Sequence, residues 1–104
     1  MSEEVILQNG TVLVRRQRLA AGEAGPWHSD SCRRVTVVLS GEALSIEYHD
    51  GGAADRVYVA PGLADWDEPT TRVHRAINIG ATPYEEIVVF FLDAPGAEPQ
   101  PRVP

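Results

Sequence analysis

Ala43-Leu44-Ser45-Ile46-Glu47-Tyr48-His49 is the stretch that decides the fold. Leu44, Ile46 and Tyr48 fall on one face of an extended chain and Ser45, Glu47 and His49 on the other, the two-residue period of a half-buried β-strand. Ser40-Gly41 precedes the stretch and Asp50-Gly51-Gly52 follows it, both turn-forming sequences.

Working outward, the same unit recurs. Val5 to Leu7, Thr11 to Val14, Val35 to Leu39, Val57 to Ala60, Val73 to Ile79 and Ile87 to Leu92 are strand-length and rich in β-branched or aromatic residues. Asn9-Gly10, Pro61-Gly62 and Gly80 to Pro83 punctuate them. No window of ten or more residues keeps a period near 3.6, so a substantial helix is not expected. Many short strands with regular turns indicate an all-β sandwich or barrel.

With 104 residues the chain has room for one core, expected over residues 1–93. Residues 94–104 hold four of the eight prolines, and this tail is expected to be extended or disordered because proline cannot donate to a strand ladder. Val35 to Leu39 and Ile87 to Leu92 are apolar on both faces, which suits strands facing an interior on one side and a second sheet or subunit on the other. A homodimer is therefore expected, the more so because small domains bury a modest share of their surface.

Fifteen acidic residues against nine basic give a net charge of −6, which argues against nucleic acid and anionic membrane surfaces as partners. The basic cluster Arg15, Arg16 and Arg18 reads as a solvated or edge-strand face. A single cysteine, Cys32, excludes an internal disulfide, and the acidic opening MSEEVILQNG has neither the charge nor the apolar run of a leader; a soluble, cytoplasmic protein is expected. Cys32 itself reads as a quiet buried thiol, although a nearby cation would favour its thiolate.

The run from Gly22 to Gly41, GEAGPWHSDSCRRVTVVLSG, resembles the first signature of the cupin superfamily, in which five residues separate a glycine from a histidine and six separate a glutamate from a second glycine. Gly22, His28 and Gly41 match; Asp30 takes the place of the second histidine and Arg34 that of the glutamate. PTTRVHRAIN, residues 69–78, is similar to the second signature, with Pro69, His74 and Asn78 matching and Thr71 replacing a glycine. The resemblance spans about Thr11 to Leu92. It implies a double-stranded β-helix, or jelly roll, whose two signature regions line one pocket and hold a divalent metal through histidines and a carboxylate.

The spacing has a physical basis, since alternate residues of a strand point the same way and His28 and Asp30 can reach one cavity together. His74 would enter from a strand across the barrel. His28, Asp30 and His74 form a donor set suited to iron(II), manganese or zinc with open positions, and oxygenase or isomerase chemistry on a small acid would follow. Arg34 competes, because a permanent cation repels a metal and makes a natural partner for Asp30. A metal-free pocket or sensor, with Arg34 as anchor for a small organic anion, is the alternative, and a dimerisation scaffold with an inactive pocket is the third.

Further ligand contacts are assigned to Asn78 and Trp66. Asn78 stands where it could orient His74 or brace the turn before Gly80, and Trp27 and Trp66 could wall a pocket or fill core and interface. His49 is expected to be exposed and outside the site. Asp65, Asp67 and Glu68 read as a solvated loop that needs no calcium.

Overall fold

A computed structural model describes residues 1–104. Nine strands form two sheets, and there is no helix, so no helix is long and apolar enough to cross a membrane. In chain order they are β1 (Ser2–Gln8), β2 (Val12–Leu19), β3 (His28–Asp30), β4 (Arg33–Ser40), β5 (Ala43–Tyr48), β6 (Asp55–Tyr58), β7 (Ala64–Asp67), β8 (Thr70–Asn78) and β9 (Tyr84–Phe91). One sheet has the order β1-β2-β9-β4-β7 and the other β3-β8-β5-β6, antiparallel throughout. Hydrogen bonding does not run continuously from one sheet into the other, so the jelly roll is a flattened, open-edged one.

The alternation that marked β5 holds: Leu44 is buried and packs with Leu19, Val38 and Tyr84, while Ile46 lies against the same cluster. Leu13, Val88 and Phe90 make a second cluster. The inner strands of the larger sheet send alternate side chains between the sheets, as in β9, where Tyr84, Val88 and Phe90 are all buried, while β1 at the edge is exposed throughout. Turn chemistry closes the hairpins. Asn9 accepts from the backbone N–H of Thr11 and Val12 through its side chain, which sets the β1–β2 turn. Gly41 sits at a φ of +130° against Tyr84, where a Cβ would come within 2.8 Å of the ring, so no other residue fits there.

Two strands were not legible as such. β3 has only three residues, and β7 covers the acidic run read as a loop: Ala64 to Asp67 pairs with β4, Val35 facing Trp66 and Arg34 facing Asp67. Strand pairing, not loop solvation, organises these acids, because Asp65 and Asp67 alternate inward to the cavity while Trp66 points outward. The basic cluster divides likewise. β2 is internal to its sheet, with β1 at the edge; Arg15 lies over the Phe90 ring, 5.5 Å from its centroid, while Arg16 and Arg18 reach Glu85 outside.

The proline-rich segment after Leu92 returns along β3. Ser29 and Ser31 donate their backbone N–H groups to the carbonyls of Pro101 and Pro99, at 3.1 and 3.0 Å, and Val103 donates to Trp27 at 2.9 Å. Proline lacks a donor but keeps its acceptor, so a Pro-Gln-Pro sequence can serve an edge strand that offers N–H groups. Pro99 is fully buried in this contact.

Candidate metal and ligand site

Between the sheets lies a cavity of about 570 Å³. Leu19, Val38, Leu44, Ile46 and Val59 give it an apolar floor, and a polar group made of His28, Asp30, Arg34, His74 and Gln100 occupies part of its wall.

β3 and β8 bring the two histidines together. They are direct cross-strand partners, with ring centroids 4.6 Å apart, so His74 enters from the neighbouring strand rather than from across the barrel as the spacing had implied. Asp30 is on the same face of β3 as His28, two residues on. A register shift between them pairs Asp30 with Thr70.

Both imidazoles are held from behind. His28 Nδ1 lies 2.9 Å from the Pro26 carbonyl oxygen and His74 Nδ1 lies 2.8 Å from that of Arg72. A carbonyl only accepts, so each Nδ1 carries the proton and donates, and each Nε2 is left for the site. Both Nε2 atoms face Asp30: His74 Nε2 is 2.9 Å from Oδ2 and His28 Nε2 is 3.5 Å from Oδ1. One ligand atom from each of the three residues fits within a span of 4.8 Å.

Arg34 joins them from β4, its Nη1 2.8 Å from Asp30 Oδ2 and its Nη2 3.5 Å from Asp67. Asp30 is only 1% exposed, yet it stays ionised. Burial works against its charge, but the contacts to His28 and His74 and the guanidinium of Arg34 outweigh it and hold the carboxyl well below the ordinary carboxylate range. Asp30 in turn raises the pKa of His74, against the opposing effect of burial and helped by the Arg72 carbonyl. The distances at Oδ2 are those of ion pairs, but no N–H points along them, and both Asp30 Oδ2 and Arg34 Nη1 lack a directed hydrogen bond. Attraction that depends on distance remains; the directional bond is missing.

That orphaned oxygen, two imidazole nitrogens with their far sides already bonded, and one carboxylate are a donor set that fits a divalent transition metal. Asp30 therefore faces both the histidines and Arg34.

Asn78 and Trp66 do not join the site. Asn78 is fully buried and donates to the carbonyls of Leu19 and Thr82, at 3.1 and 2.9 Å, while its Oδ1 accepts from Gly80 N–H. It braces the β8–β9 turn, since a buried amide at a strand end finds backbone partners first. Trp66 is 56% exposed on the outer face of the larger sheet, tilted against Phe91 at 5.6 Å and bonded through Nε1 to Glu68, so strand alternation turns it away from the cavity. Trp27 lies under Arg75 and edge-on to the exposed His49. Cys32 is buried.

The structure adds two residues to the cavity wall, Glu86 and Gln100. Glu86 borders the hollow on β9, and enclosure by protein raises its carboxyl to about 7, against the lowering effects of the Tyr84 hydroxyl and Arg34. Glu86 shares the face of β9 that buries Tyr84 and Val88, an alternation of period two that is the signal by which it could have been found. Gln100 reaches the site from the returning tail, its Nε2 3.4 Å from both His28 Nε2 and Asp30 Oδ1.

The fold is that of the cupin proteins, a double-stranded β-helix. No family model and no curated protein matches the sequence. Among solved structures, a cupin domain from Bordetella pertussis is 22% identical with a TM-score of 0.77, covering 88% of this chain and 92% of that one. An uncharacterised conserved protein with a double-stranded β-helix domain, from Klebsiella pneumoniae, is 20% identical with a TM-score of 0.73, over 99% of this chain and 84% of that one. A polyketide cyclase from Streptomyces resistomycificus is 17% identical with a TM-score of 0.67, over 97% and 69%.

Proposed function

We propose that this cupin-fold domain binds a small organic anion in its cavity beside a divalent transition metal held by His28, Asp30 and His74. The carrying observation is the pair of backbone-anchored imidazoles that present Nε2 to one buried carboxylate. Bonding of Nδ1 to a carbonyl is the arrangement that orients a histidine for metal and raises its basicity. Such a metal supplies Lewis acidity to a bound oxygen atom.

The rest of the wall suits a ligand with a charged end and an apolar body. Arg34 offers a planar fork to a carboxylate or phosphate, and the floor from Leu19 to Val59 accepts an aliphatic or aromatic group. Glu86, raised to about 7, is placed to give or take a proton near neutrality. The similarity in fold to a polyketide cyclase supports a pocket for small organic molecules without naming one.

A metal-free reading rests on a different observation, the 2.8 Å approach of Arg34 to Asp30, which already gives the carboxylate a cation. Elemental analysis of protein purified without chelator, followed by reconstitution with iron(II), manganese and zinc, separates the two. Stoichiometric metal is the expected result. Protein that takes up none of the three, and that small carboxylates stabilise in chelator, is the metal-free module.

We also propose that the domain works as a homodimer through the outer face of the larger sheet, where Val35, Val37, Ile87 and Val89 lie side by side in register and Trp66 and Phe91 are exposed.

A further inference from the structure

Gln100 is the one polar group of the site that comes from outside the strands, and it is held with unusual care. It stands between Pro99 and Pro101, whose carbonyls are bonded to Ser31 and Ser29. A residue before proline is confined to extended backbone, so the main chain at Gln100 has little freedom. Its N–H, which the edge of β3 does not engage, is taken by the Glu98 carboxylate at 3.0 Å. Its side chain is bonded at the oxygen: Gln17 Nε2 donates to Gln100 Oε1 at 3.0 Å, and Gln17 is itself buried on β2.

With Oε1 so engaged, Gln100 Nε2 faces His28 Nε2 and Asp30 Oδ1. In the neutral ring His28 Nε2 is an acceptor, because Nδ1 carries the proton toward Pro26. The amide then donates to Asp30 Oδ1 and to the neutral His28 ring. A carboxamide has a second orientation of nearly the same shape, with oxygen and nitrogen exchanged. Turned over alone, Gln100 would lose its bond to Gln17. Turned over together, the two amides keep it, since Gln17 can equally accept from Gln100.

We propose that Gln100 is the fourth ligand of the metal, supplied by the C-terminal arm through a paired reversal of the Gln17 and Gln100 amides. This rests on the metal reading of the site. Without metal, Gln100 presents N–H groups to His28 and Asp30; with metal between them, it presents Oε1 to the ion. A hydrocarbon side chain serves neither state. A carboxylate serves only the loaded one.

The test compares the full chain with Gln100→Ala and Gln100→Glu, titrating zinc and manganese by calorimetry and recording thermal unfolding of each protein in chelator and with metal. Gln100→Ala is expected to weaken binding by about tenfold to a hundredfold, the range seen when groups supporting a metal site are removed. Gln100→Glu is expected to bind at least as tightly as the parent and to unfold earlier in chelator, with metal restoring it. Equal affinities for the parent and Gln100→Ala, or a Gln100→Glu protein as weak as Gln100→Ala, overturn the proposal and leave the three-residue site standing. If Gln100→Ala lowers the unfolding temperature in chelator but leaves affinity untouched, Gln100 only fastens the arm and the proposal fails. No binding of either ion by the parent overturns both this proposal and the metal reading.

Discussion

His74 Nε2 lies 2.9 Å from Asp30 Oδ2, and the same oxygen lies 2.8 Å from Arg34 Nη1, so one carboxylate oxygen balances two groups from opposite sheets. β8 and β4 share no hydrogen-bonded edge, and Asp30 is the electrostatic tie between them at this depth. Asp30→Ala leaves Arg34 without its closest counter-charge in a covered site. Breaking such a pair costs about 3 kcal/mol or more, and urea denaturation is expected to show a loss of that order. Asp30→Asn keeps the shape and loses only the charge, so it is expected to fold with a smaller loss and still fail to bind metal in calorimetry.

Arg34 separates the roles of metal and anion. Its side chain is 18% exposed, and no hydrogen bond commits Nη1. Arg34→Gln removes a cation that repels the metal, so metal affinity is expected to hold or rise. The thermal shift produced by small carboxylates is expected to vanish. A variant that retains the carboxylate shift assigns anion recognition to another residue of the wall.

Glu86 makes stability depend on pH in an unusual direction for a carboxylate. Burial raises its folded pKa from 4.5 to about 7, so the folded state holds a proton that the unfolded state has released across that window. Its stabilising share is full below pH 4.5 and is lost as pH rises through about 7, with a slope of at most about 1.4 kcal/mol per pH unit. His74, with its raised pKa, declines in the same direction, so the informative quantity is a difference. Chemical denaturation from pH 4 to 8 is expected to show Glu86→Gln gaining on the parent as pH rises. Parallel curves would return Glu86 to an ordinary carboxyl.

Asn78 matches the asparagine of the second signature by sequence and makes three hydrogen bonds to backbone around a turn. Asn78→Ala leaves the buried Leu19 carbonyl and the partly buried Thr82 carbonyl and Gly80 N–H without this partner, at about 1 to 3 kcal/mol for a group left buried and unsatisfied. Stability is expected to fall by a few kcal/mol while metal affinity, measured below the unfolding temperature, stays that of the parent.

What the sequence disclosed follows from the range of the forces involved. Alternation in Leu44, Ile46 and Tyr48 is local and marked β5 directly, and the resemblance to the two signatures pointed to His28, Asp30 and His74, which the structure places in one cluster. β3 is too short for any period to show, and its partner lies some forty residues away in the chain. The inward turn of Asp67 and the outward turn of Trp66 depend on β7 pairing with β4, which acidic composition concealed. Gln100 was out of reach for a different reason. Prolines on both sides spoke against a ladder, yet the edge of β3 asked only for acceptors, and proline carbonyls supply them.

The outer face of the larger sheet carries the remaining consequence of those doubly apolar strands. β2, β9 and β4 each have eight residues and β7 has four, and their outward positions form an apolar patch interrupted by Arg16, Arg18, Arg33 and Glu85. At strand spacings of about 4.8 Å and a rise of about 3.3 Å per residue, three eight-residue strands and one of four present roughly 440 Å². Two such faces together bury about 900 Å², in the range of weak or transient interfaces. The occupant best suited is a second copy, because an isolated domain with only 13 of 104 residues buried gains most from covering its own flat face. Val37 sits on the inner strand β4, between Ile87 of β9 and Ala64 of β7, so Val37→Lys would place a charge within the contact. Sedimentation is expected to give a dimer for the parent and a monomer for Val37→Lys, with the metal site still loading in both. A parent that sediments as a monomer at tens of micromolar, or a Val37→Lys dimer, removes this face from the assembly.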